Sequence, residues 1–368
     1  MRVRDIQEIM EAWAPREIAW EDDNVGLQIG NSDKKVQRVL VVLEISFELL
    51  AEAKRKKVDL IITHHPLLFQ PLKSITESTN SGRFVRQIIQ SEIAVYSAHT
   101  NLDFTRGGVS FVLAERLGLS GVDFLHRTSG GMKKVSVFVP PDHVEAVAEQ
   151  MASAGAGVIG NYEKCSYRTL GTGTFQAQKG ATPSLGSVGQ FETIPEVRLE
   201  MLVPNWRLPA VIKGMFDTHP YEEVAYDVYP LDNEPRDFGA GAVGDLEAPV
   251  RLLEFIDRVK DILKAHQVRF TGDSASRVKR IAVCGGSGGS LLPAALKAKA
   301  DAFVTADVKY HTFQEARKKI ALVDAGHYET ERPILDVVAE RLRRVIKERG
   351  DEVKVLVAST LTSPIFYH

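Results

Sequence analysis

The first third of the chain alternates between short apolar runs and stretches with helical periodicity. Apolar runs at 36–46, 58–66 and 93–103 predict buried β-strands. Residues 47–57 and 81–92 place apolar side chains three or four positions apart, which predicts amphipathic helices between the strands. Wholly apolar strands that alternate with helices are typical of a mostly parallel sheet covered on both faces. The pattern therefore predicts the α/β fold class.

The last third of the chain repeats this pattern. Strand–turn–helix sequences begin near Arg280, Asp301 and Ile320, and the apolar run 353–359 predicts a closing strand. The end of the chain therefore has the same α/β character as its beginning.

The middle of the chain carries a weak internal repeat. A strand, a proline at Pro140 and a helix are followed by a strand candidate at 157–165. The same order recurs around Pro204, with a strand candidate at 222–231. Two β-α-β units in tandem predict a ferredoxin-like α+β domain, which we place at residues 130–235.

Two domain arrangements fit these patterns, since 368 residues exceed what one core usually serves. In the first, the segment 130–235 is inserted into one α/β domain formed by residues 1–129 and 236–368. In the second, two domains follow each other and residues 236–368 fold alone.

The amino-acid composition of the chain excludes several classes of protein. The 46 Lys and Arg residues nearly balance the 48 Asp and Glu residues, and no basic stripe with interleaved aromatics is present, so nucleic acid is not an expected partner. No apolar run reaches about 18 residues, which argues against a membrane protein. The two cysteines, Cys165 and Cys284, have no paired spacing. We therefore expect a cytoplasmic protein without disulfides or a thiolate zinc site.

Ionisable side chains follow two of the predicted strands. His64 and His65 end one apolar run, and His99 and Asp103 end the next. Ligands of α/β sheets bind beyond the carboxyl ends of the strands, where these side chains would converge. Two alternatives remain, because the paired histidines could be structural core residues and Asp103 could cap the next helix.

A third strand end adds His327 and Glu331, whose spacing of four places them on one face of a helix. Glu331 could otherwise be an ordinary first-turn acid favoured by the helix dipole. Three imidazoles and two carboxylates are too many for one structural zinc ion. The set suits two ions bridged by a carboxylate, and such pairs activate water for hydrolysis.

Three further features have two readings each. The loop Gly285–Gly289 could cradle a phosphate at a helix N-terminus or simply form a tight turn. His311 could be a proton donor or substrate contact near the metals, with Lys309 a weaker candidate for contact with an anionic group. Cys284 is expected to be a small core residue.

Several segments resemble the signatures of the Nif-three-like (NGG-interacting factor) family, whose members are labelled GTP cyclohydrolase 1 type 2 homologs. The opening "WEDDNVGLQIG" is similar to that family's N-terminal motif, and "HPYEEVAYDVYPL" resembles the PII/CutA-like insertion of its long bacterial members. The remaining segments that carry the resemblance are "IITHHPLLF", "YSAHTNLD", "KYHTF" and "GHYETE".

The resemblance implies a Nif-three-like α/β sandwich domain split by an inserted PII/CutA-like domain, with the two flanking halves sharing one sheet. It also implies a toroidal hexamer built as a trimer of dimers. Two divalent ions per chain, of zinc, iron or manganese, are expected, with His99 as a neighbour in their pocket. Their ligands would be His64, His65, Asp103, His327 and Glu331.

Two functions follow as hypotheses. The first is a metal-dependent hydrolase that acts on a nucleotide or related small molecule, with His99 or His311 as general acid or base. The alternative is a non-enzymatic metal-binding regulator or metal chaperone whose inserted domain senses a small ligand.

Overall fold

The computed structural model divides the chain into two compact units. Unit 1 comprises Met1–His126 and Asp237–His368, and unit 2 comprises Arg127–Arg236. The predicted domain boundaries at residues 129–130 and at residue 235 lie outside the described residues. The structure describes residues 1–127, 131–233, 236–360 and 363–366.

The strands are short in unit 1 and longer in unit 2. In the described residues they are β1 Gly26–Ile29, β2 Arg38–Val42, β3 Leu60–Thr63, β4 Ala94–Ser97, β5 Ser120–Arg127, β6 Met132–Val139, β7 Tyr167–Gln176, β8 Phe191–Pro204, β9 Tyr226–Leu231, β10 Gly239–Arg251, β11 Arg269–Thr271, β12 Arg277–Val283, β13 Ala302–Thr305, β14 Ala321–Asp324 and β15 Lys354–Val357.

Helices separate most of these strands. None of the described helices has the length and apolar character needed to cross a membrane. They are α1 Val3–Glu11, α2 Phe47–Arg55, α3 Asn80–Gln90, α4 Thr100–Asp103, α5 Val109–Arg116, α6 Val144–Ser153, α7 Leu208–Thr218, α8 Leu252–Leu263, α9 Leu292–Lys297, α10 Tyr310–Ala316, α11 His327–Glu331 and α12 Ile334–Glu348.

The first sheet of unit 1 has the strand order β1-β4-β3-β2-β15. Strands β15, β2, β3 and β4 run parallel, and β1 pairs antiparallel at one edge. Every residue of β3 and of β4 is buried, as their uninterrupted apolar character predicts. The strands predicted around 36–46, 58–66, 93–103 and 353–359 are therefore confirmed, each with shorter bounds.

A second sheet of unit 1 has the order β11-β14-β13-β12-β10-β5. Strands β12, β13 and β14 are parallel, and β10 and β11 pair antiparallel with their neighbours. Each of these sheets contains strands from both flanking halves, so the prediction that the halves share a sheet is confirmed, with two shared sheets in place of one. The halves form two sheets and exchange one strand each, because β15 completes the first sheet and β5 completes the second.

Helices bury the apolar faces of both sheets. Side chains of α1, such as Ile6 and Met10, pack with Leu60 of β3 and Leu342 of α12 in one core cluster. A second cluster joins α5 and α8 to the strands of the second sheet. Helical packing on both sheets fixes the strand ends, from which the candidate site is built.

Unit 2 has its own core and a four-stranded sheet of order β7-β8-β6-β9, in which each strand runs antiparallel to its neighbours. Helices α6 and α7 complete a β-α-β-β-α-β sequence. The strand predicted at 157–165 is wrong, since that stretch forms an irregular loop with positive φ at Gly157, Gly160 and Lys164. The strand is instead β7, whose largely exposed, Thr- and Gly-containing sequence gives little apolar signal.

Candidate metal centre

The candidate site lies in unit 1 at the carboxyl ends of strands from both sheets. The backbone amides of His64 and His65 still pair with carbonyl groups of Val42 and Leu43, so the end of β3 holds both residues in place. Gly326, with φ +91°, lets the chain pass from β14 directly into α11, which carries His327 and Glu331.

The residues His99 and Asp103 lie at the two ends of the short helix α4. Asp23 caps this helix, because its Oδ2 accepts a hydrogen bond of 3.0 Å from the amide of Thr100. The same carboxylate contacts His99, so one acid fixes both the helix start and the imidazole beside it.

Glu331 lies at the centre of the cluster and is buried. Its Oε2 is 2.9 Å from Nε2 of His65, and its Oε1 is 3.1 Å from Nε2 of His327. The same Oε1 lies 3.7 Å from Nε2 of His64. The structure thus brings together four of the five predicted ligands, namely three imidazoles and the Glu331 carboxylate that they surround.

The fifth predicted ligand, Asp103, contacts this group through His64. Its Oδ1 lies 3.6 Å from Nε2 of His64. Both atoms are buried, and neither has a hydrogen-bond partner among the described residues. Burying unpaired polar atoms is costly, so their presence together indicates a place for a ligand of both. An imidazole nitrogen and a carboxylate oxygen are suitable metal donors, so the residues fit a divalent cation.

In each imidazole of the cluster, Nδ1 contacts an oxygen atom of a residue outside the metal-capable cluster. His64 Nδ1 lies 2.9 Å from the carbonyl oxygen of Ala98, and His65 Nδ1 lies 3.0 Å from Glu44 Oε2. Such contacts are typical of metal-binding histidines, because they fix the ring and leave Nε2 as the ligand atom.

The other two imidazoles repeat this arrangement with carboxylates. His99 Nδ1 lies 2.9 Å from Asp23 Oδ1, and His327 Nδ1 lies 2.6 Å from Asp307 Oδ2. Sequence reasoning missed Asp23, Glu44 and Asp307 as orienting residues. Asp23 belongs to "WEDDNVGLQIG" and Asp307 to "ADVKYH", so the signal was their position in or beside recognised segments.

The carboxylates raise the pKa values of the imidazoles. Burial opposes the charged form, but hydrogen bonds with Glu331 and Glu44 outweigh it and raise the pKa of His65 to about 10. For His327, burial is again outweighed by Glu331 and then Asp307, and its pKa is raised to about 9. In the absence of metal, the raised pKa values therefore favour protonated imidazoles that are paired with the neighbouring carboxylates.

The acids of the site are shifted in opposite directions. Burial raises the pKa of Asp103 to about 6. Burial also opposes the charge of Glu331, but the charge of the neighbouring His64 and the contacts with His327 and His65 hold its pKa well below the usual value. The pKa of Asp23 is lowered to about 2, because hydrogen bonds with His99 and Thr100 outweigh its burial.

Within the described residues, two groups of side chains are arranged so that each could hold a metal ion. His64, His65 and His99 form the first, and His65, His327 and Glu331 form the second, with ligand atoms of each group within 4.8 Å of one another. His99, expected only as a neighbour, thus belongs to a metal-capable group, whereas Asp103 belongs to neither.

The other candidates predicted from the sequence belong to neither of these groups. His311 is exposed on α10, and its ring packs against Tyr310 with centroids 5.6 Å apart. Lys309 is the residue that precedes α10. Cys284 is half-buried, and burial raises the pKa of its thiol to about 12, as suits an unreactive residue.

The glycine loop 285–289 is tied into the protein by its own amides. Gly285 donates to Ser110, Gly286 to Thr330 and Gly288 to Thr305 through side-chain oxygens. These three amides are therefore occupied, which favours the tight-turn reading over a phosphate cradle. The turn also brings Gly286 against the cluster, where a Cβ would lie 2.1 Å from Glu331 Oε1.

The fold and site define a protein of the α/β class with a buried histidine–carboxylate cluster that could bind metal. The chain belongs to the Duf34/NIF3 (NGG1p interacting factor 3) family, whose sequence model matches residues 1–364. This confirms the resemblance found in the sequence.

Relatives and solved structures agree over nearly the whole chain. The chain is 40% identical to the GTP cyclohydrolase 1 type 2 homolog of Bacillus subtilis (strain 168), over 99% of this chain and 98% of that protein. It is 36% identical to the protein of the same name from Mycobacterium leprae (strain TN), over 99% of this chain and 94% of that protein.

Among solved structures, a Bacillus cereus protein related to NIF3 is 38% identical with a TM-score of 0.85, covering 100% of this chain and 99% of its own. The Staphylococcus aureus protein SA1388 is 27% identical with a TM-score of 0.80, covering 100% of this chain and 99% of its own.

Proposed function

We propose that this protein is a metal-dependent hydrolase with a dinuclear centre, acting on a nucleotide or a related small molecule. The observation that carries the proposal is the placement of three imidazole Nε2 atoms around Glu331, beside an unpartnered Asp103 oxygen. The substrate class comes from the relatives' name, GTP cyclohydrolase 1 type 2 homolog. The proposed ligands are His64, His65, Asp103, His327 and Glu331.

The donor set supports two ions more than one. Both carboxylate oxygens of Glu331 contact imidazoles of different elements, so this side chain is suited to bridge two positions. Bound divalent ions would supply Lewis-acid activation of the substrate and of water. Imidazole and carboxylate ligands suit zinc, iron or manganese, and affinity order alone does not choose between them.

His99 is the proposed general acid or base. Its Nδ1 is held by Asp23, so the ring is fixed in orientation and Nε2 is available to give or take a proton. His311 is a second proposed acid or base, which its exposed position on α10 would allow only through contact with a bound substrate.

The hydrolase proposal is tested by turnover of GTP by metal-loaded protein, with products separated by chromatography. We expect ring-opened product from the wild type and from His143→Ala, a control at an exposed histidine of unit 2. Asp103→Ala and Glu331→Ala should lose at least a hundredfold in rate. Equal rates in all four proteins would contradict the proposal.

Unit 2 is proposed to be a ferredoxin-like, PII/CutA-like domain inserted into the Nif-three-like α/β sandwich domain. The support is its β-α-β-β-α-β sequence and its antiparallel sheet of order β7-β8-β6-β9. The proposed boundaries are 1–129, 130–235 and 236–368, close to the two compact units of the fold.

A toroidal hexamer, built as a trimer of dimers, is the proposed assembly. Family resemblance alone motivates it. Sedimentation velocity of the purified chain tests it, since a hexamer of 40.7 kDa chains separates cleanly from a monomer or dimer.

An alternative function is a non-enzymatic metal-binding regulator or metal chaperone that senses a small ligand. A cavity of about 320 Å³ in unit 2 favours it, a size within the range of small-molecule sites. Phe175, Pro183 and Leu185 supply apolar lining, and Glu196 with Tyr221 supply polar groups. Saturable binding of a metabolite to the full chain, lost on filling the cavity with Ala181→Trp and accompanied by no turnover, would favour this alternative.

A further inference from the structure

One cavity of unit 1 is lined by arginine side chains. It has a volume of about 460 Å³ and lies among the segment after α1, helix α5 and helix α12. None of its lining residues belongs to the metal-capable groups of the described residues. Three arginines contribute to it, namely Arg106, Arg341 and Arg344. We call it the Arg341 cavity.

Arg341 is held in a fixed position with a donor left unused. Its guanidinium carbon lies 4.6 Å from the centre of the Trp13 ring, in a cation–π contact. Trp13 is itself fixed, because its Nε1 donates a hydrogen bond of 3.0 Å to the carbonyl oxygen of Arg106. Nε of Arg341 is buried and has no hydrogen-bond partner among the described residues. A buried, unpaired guanidinium N–H is costly and needs an acceptor.

The arginines of this cavity differ in their ion pairing. Neither Arg341 nor Arg344 forms an ion pair in the part of the chain that the structure describes, whereas Arg106 pairs with Asp123 at 2.9 Å. Burial, together with the nearby Arg344, lowers the pKa of Arg341 below its usual value, as expected for like charges held close.

Two exposed glutamates, Glu115 and Glu340, also line the cavity. Against the three arginines they leave one positive charge in excess among the lining residues, and none once the pairing of Arg106 with Asp123 is counted. This balance disfavours a polyanion such as nucleic acid, which would meet both carboxylates, whereas the guanidinium groups of Arg341 and Arg344 favour a small, compact anion.

We propose that the Arg341 cavity binds a small oxyanion, either inorganic phosphate or the phosphate or carboxylate group of a metabolite. A planar guanidinium presents parallel N–H groups that match two oxygens of such a group. Stacking on Trp13 holds the guanidinium in place before binding, which reduces the entropy lost on binding. Arg344 would supply a second charge from the next turn of the same helix.

The test is a titration of inorganic phosphate with metal-free full-length protein, in which binding is measured from the broadening of the phosphate ³¹P resonance. We expect saturable broadening with the wild type. Arg341→Gln and the exposed Arg344→Gln should each weaken binding roughly tenfold or more, the usual loss for a charge-assisted hydrogen bond. Arg341→Lys should also weaken it, since an ammonium keeps the charge without the planar fork.

Two controls make the outcome decisive. Lys347→Gln removes a charge from the same helix outside the cavity and should bind phosphate as the wild type does. His65→Ala should likewise leave binding unchanged. No broadening with the wild type, or broadening that persists in both arginine-to-glutamine variants, would overturn the proposal. Loss of broadening in His65→Ala would overturn it too, since phosphate would then lie at the metal-capable cluster.

Discussion

At the scale of single residues, Gly286 shows how closely the protein packs around its carboxylate. It has φ +61°, and a Cβ there would lie 2.1 Å from Glu331 Oε1 and 3.3 Å from His327 Nε2. Gly121 has nearly the same φ, +60°, with nothing within 4 Å of its Cβ position. Substitutions at these two glycines therefore distinguish the effect of backbone strain from the effect of contact with the site.

We predict that Gly286→Ala weakens metal binding at least tenfold, because the added methyl group displaces the Glu331 carboxylate. Gly121→Ala should cost about 1 kcal/mol of stability for its left-handed backbone and leave metal affinity unchanged. Competition with a chromophoric chelator measures both affinities. Equal affinities in the two variants would show that Glu331 is not a ligand.

The outer carboxylates allow a second prediction at this scale. Glu44 holds Nδ1 of His65 at 3.0 Å, and Glu48, four residues later, is exposed. Glu44→Ala should lower metal affinity roughly 10- to 100-fold by freeing the imidazole ring, whereas Glu48→Ala should not. The same chelator competition measures it, and an unchanged affinity in Glu44→Ala would contradict an orienting role.

Sequence reasoning could place the inner histidines and acids because each follows an apolar strand, and strand ends of α/β sheets converge. It could not place Asp23, Glu44 and Asp307, since each contacts an imidazole distant along the chain. Asp23 and His99 are 76 residues apart, and nothing local marks the pair. The exclusion of Asp103 from both metal-capable groups depends on side-chain direction, which periodicity does not give.

At the scale of secondary-structure elements, Glu52 ties helix α2 to the segment after β15. Its buried carboxylate accepts hydrogen bonds from the amides of Ser359 at 3.1 Å and Thr360 at 3.0 Å, and contacts Lys56. Burial opposes its charge, but the hydrogen bonds of Lys56, Thr360 and Ser359 hold its pKa well below the usual value. The contact stabilises the exchange of β15 into the first sheet.

We predict that Glu52→Gln lowers the free energy of unfolding by about 2 kcal/mol at pH 7. Since the folded pKa is below the unfolded value of about 4.3, this stabilisation is complete above that pH and is lost as the pH falls towards the folded pKa. Urea unfolding at pH 7 and at pH values below about 4.3 should show the stabilities of the wild type and variant converging as the pH falls. Glu348→Gln, exposed on α12, is the control and should match the wild type throughout.

Most elements of unit 1 could be predicted from apolar runs, but their pairing could not. The exchange of β5 and β15 between two sheets depends on contacts between segments that are distant along the chain, and no local pattern encodes it. β7 escaped prediction for a different reason. It is an edge strand with mostly exposed residues, so the alternation of buried and exposed positions that marks a strand is missing.

At the scale of the whole molecule, all residues of the metal-capable groups lie in unit 1. The chain leaves unit 1 through β5 and re-enters it at β10, and these strands are neighbours in one sheet. A Cβ at Gly239 would lie 2.6 Å from the carbonyl oxygen of His126, so the two chain segments are in contact.

We therefore predict that replacing residues 127–236 with a short Gly-Ser linker leaves unit 1 folded and able to bind metal with wild-type affinity. Circular dichroism and metal analysis of the shortened chain measure this. Loss of both fold and metal would show that unit 1 depends on unit 2, contrary to its separate core.

The measurement that tests the central claim most directly is metal content per chain. The wild type, His65→Ala and the control His143→Ala would be purified without chelator and incubated with zinc, iron or manganese. After desalting, bound metal would be measured by inductively coupled plasma mass spectrometry. His65 belongs to both metal-capable groups. We predict close to two ions per chain in the wild type and control, and clearly fewer in His65→Ala. No bound metal in the wild type with any of the three ions would contradict it.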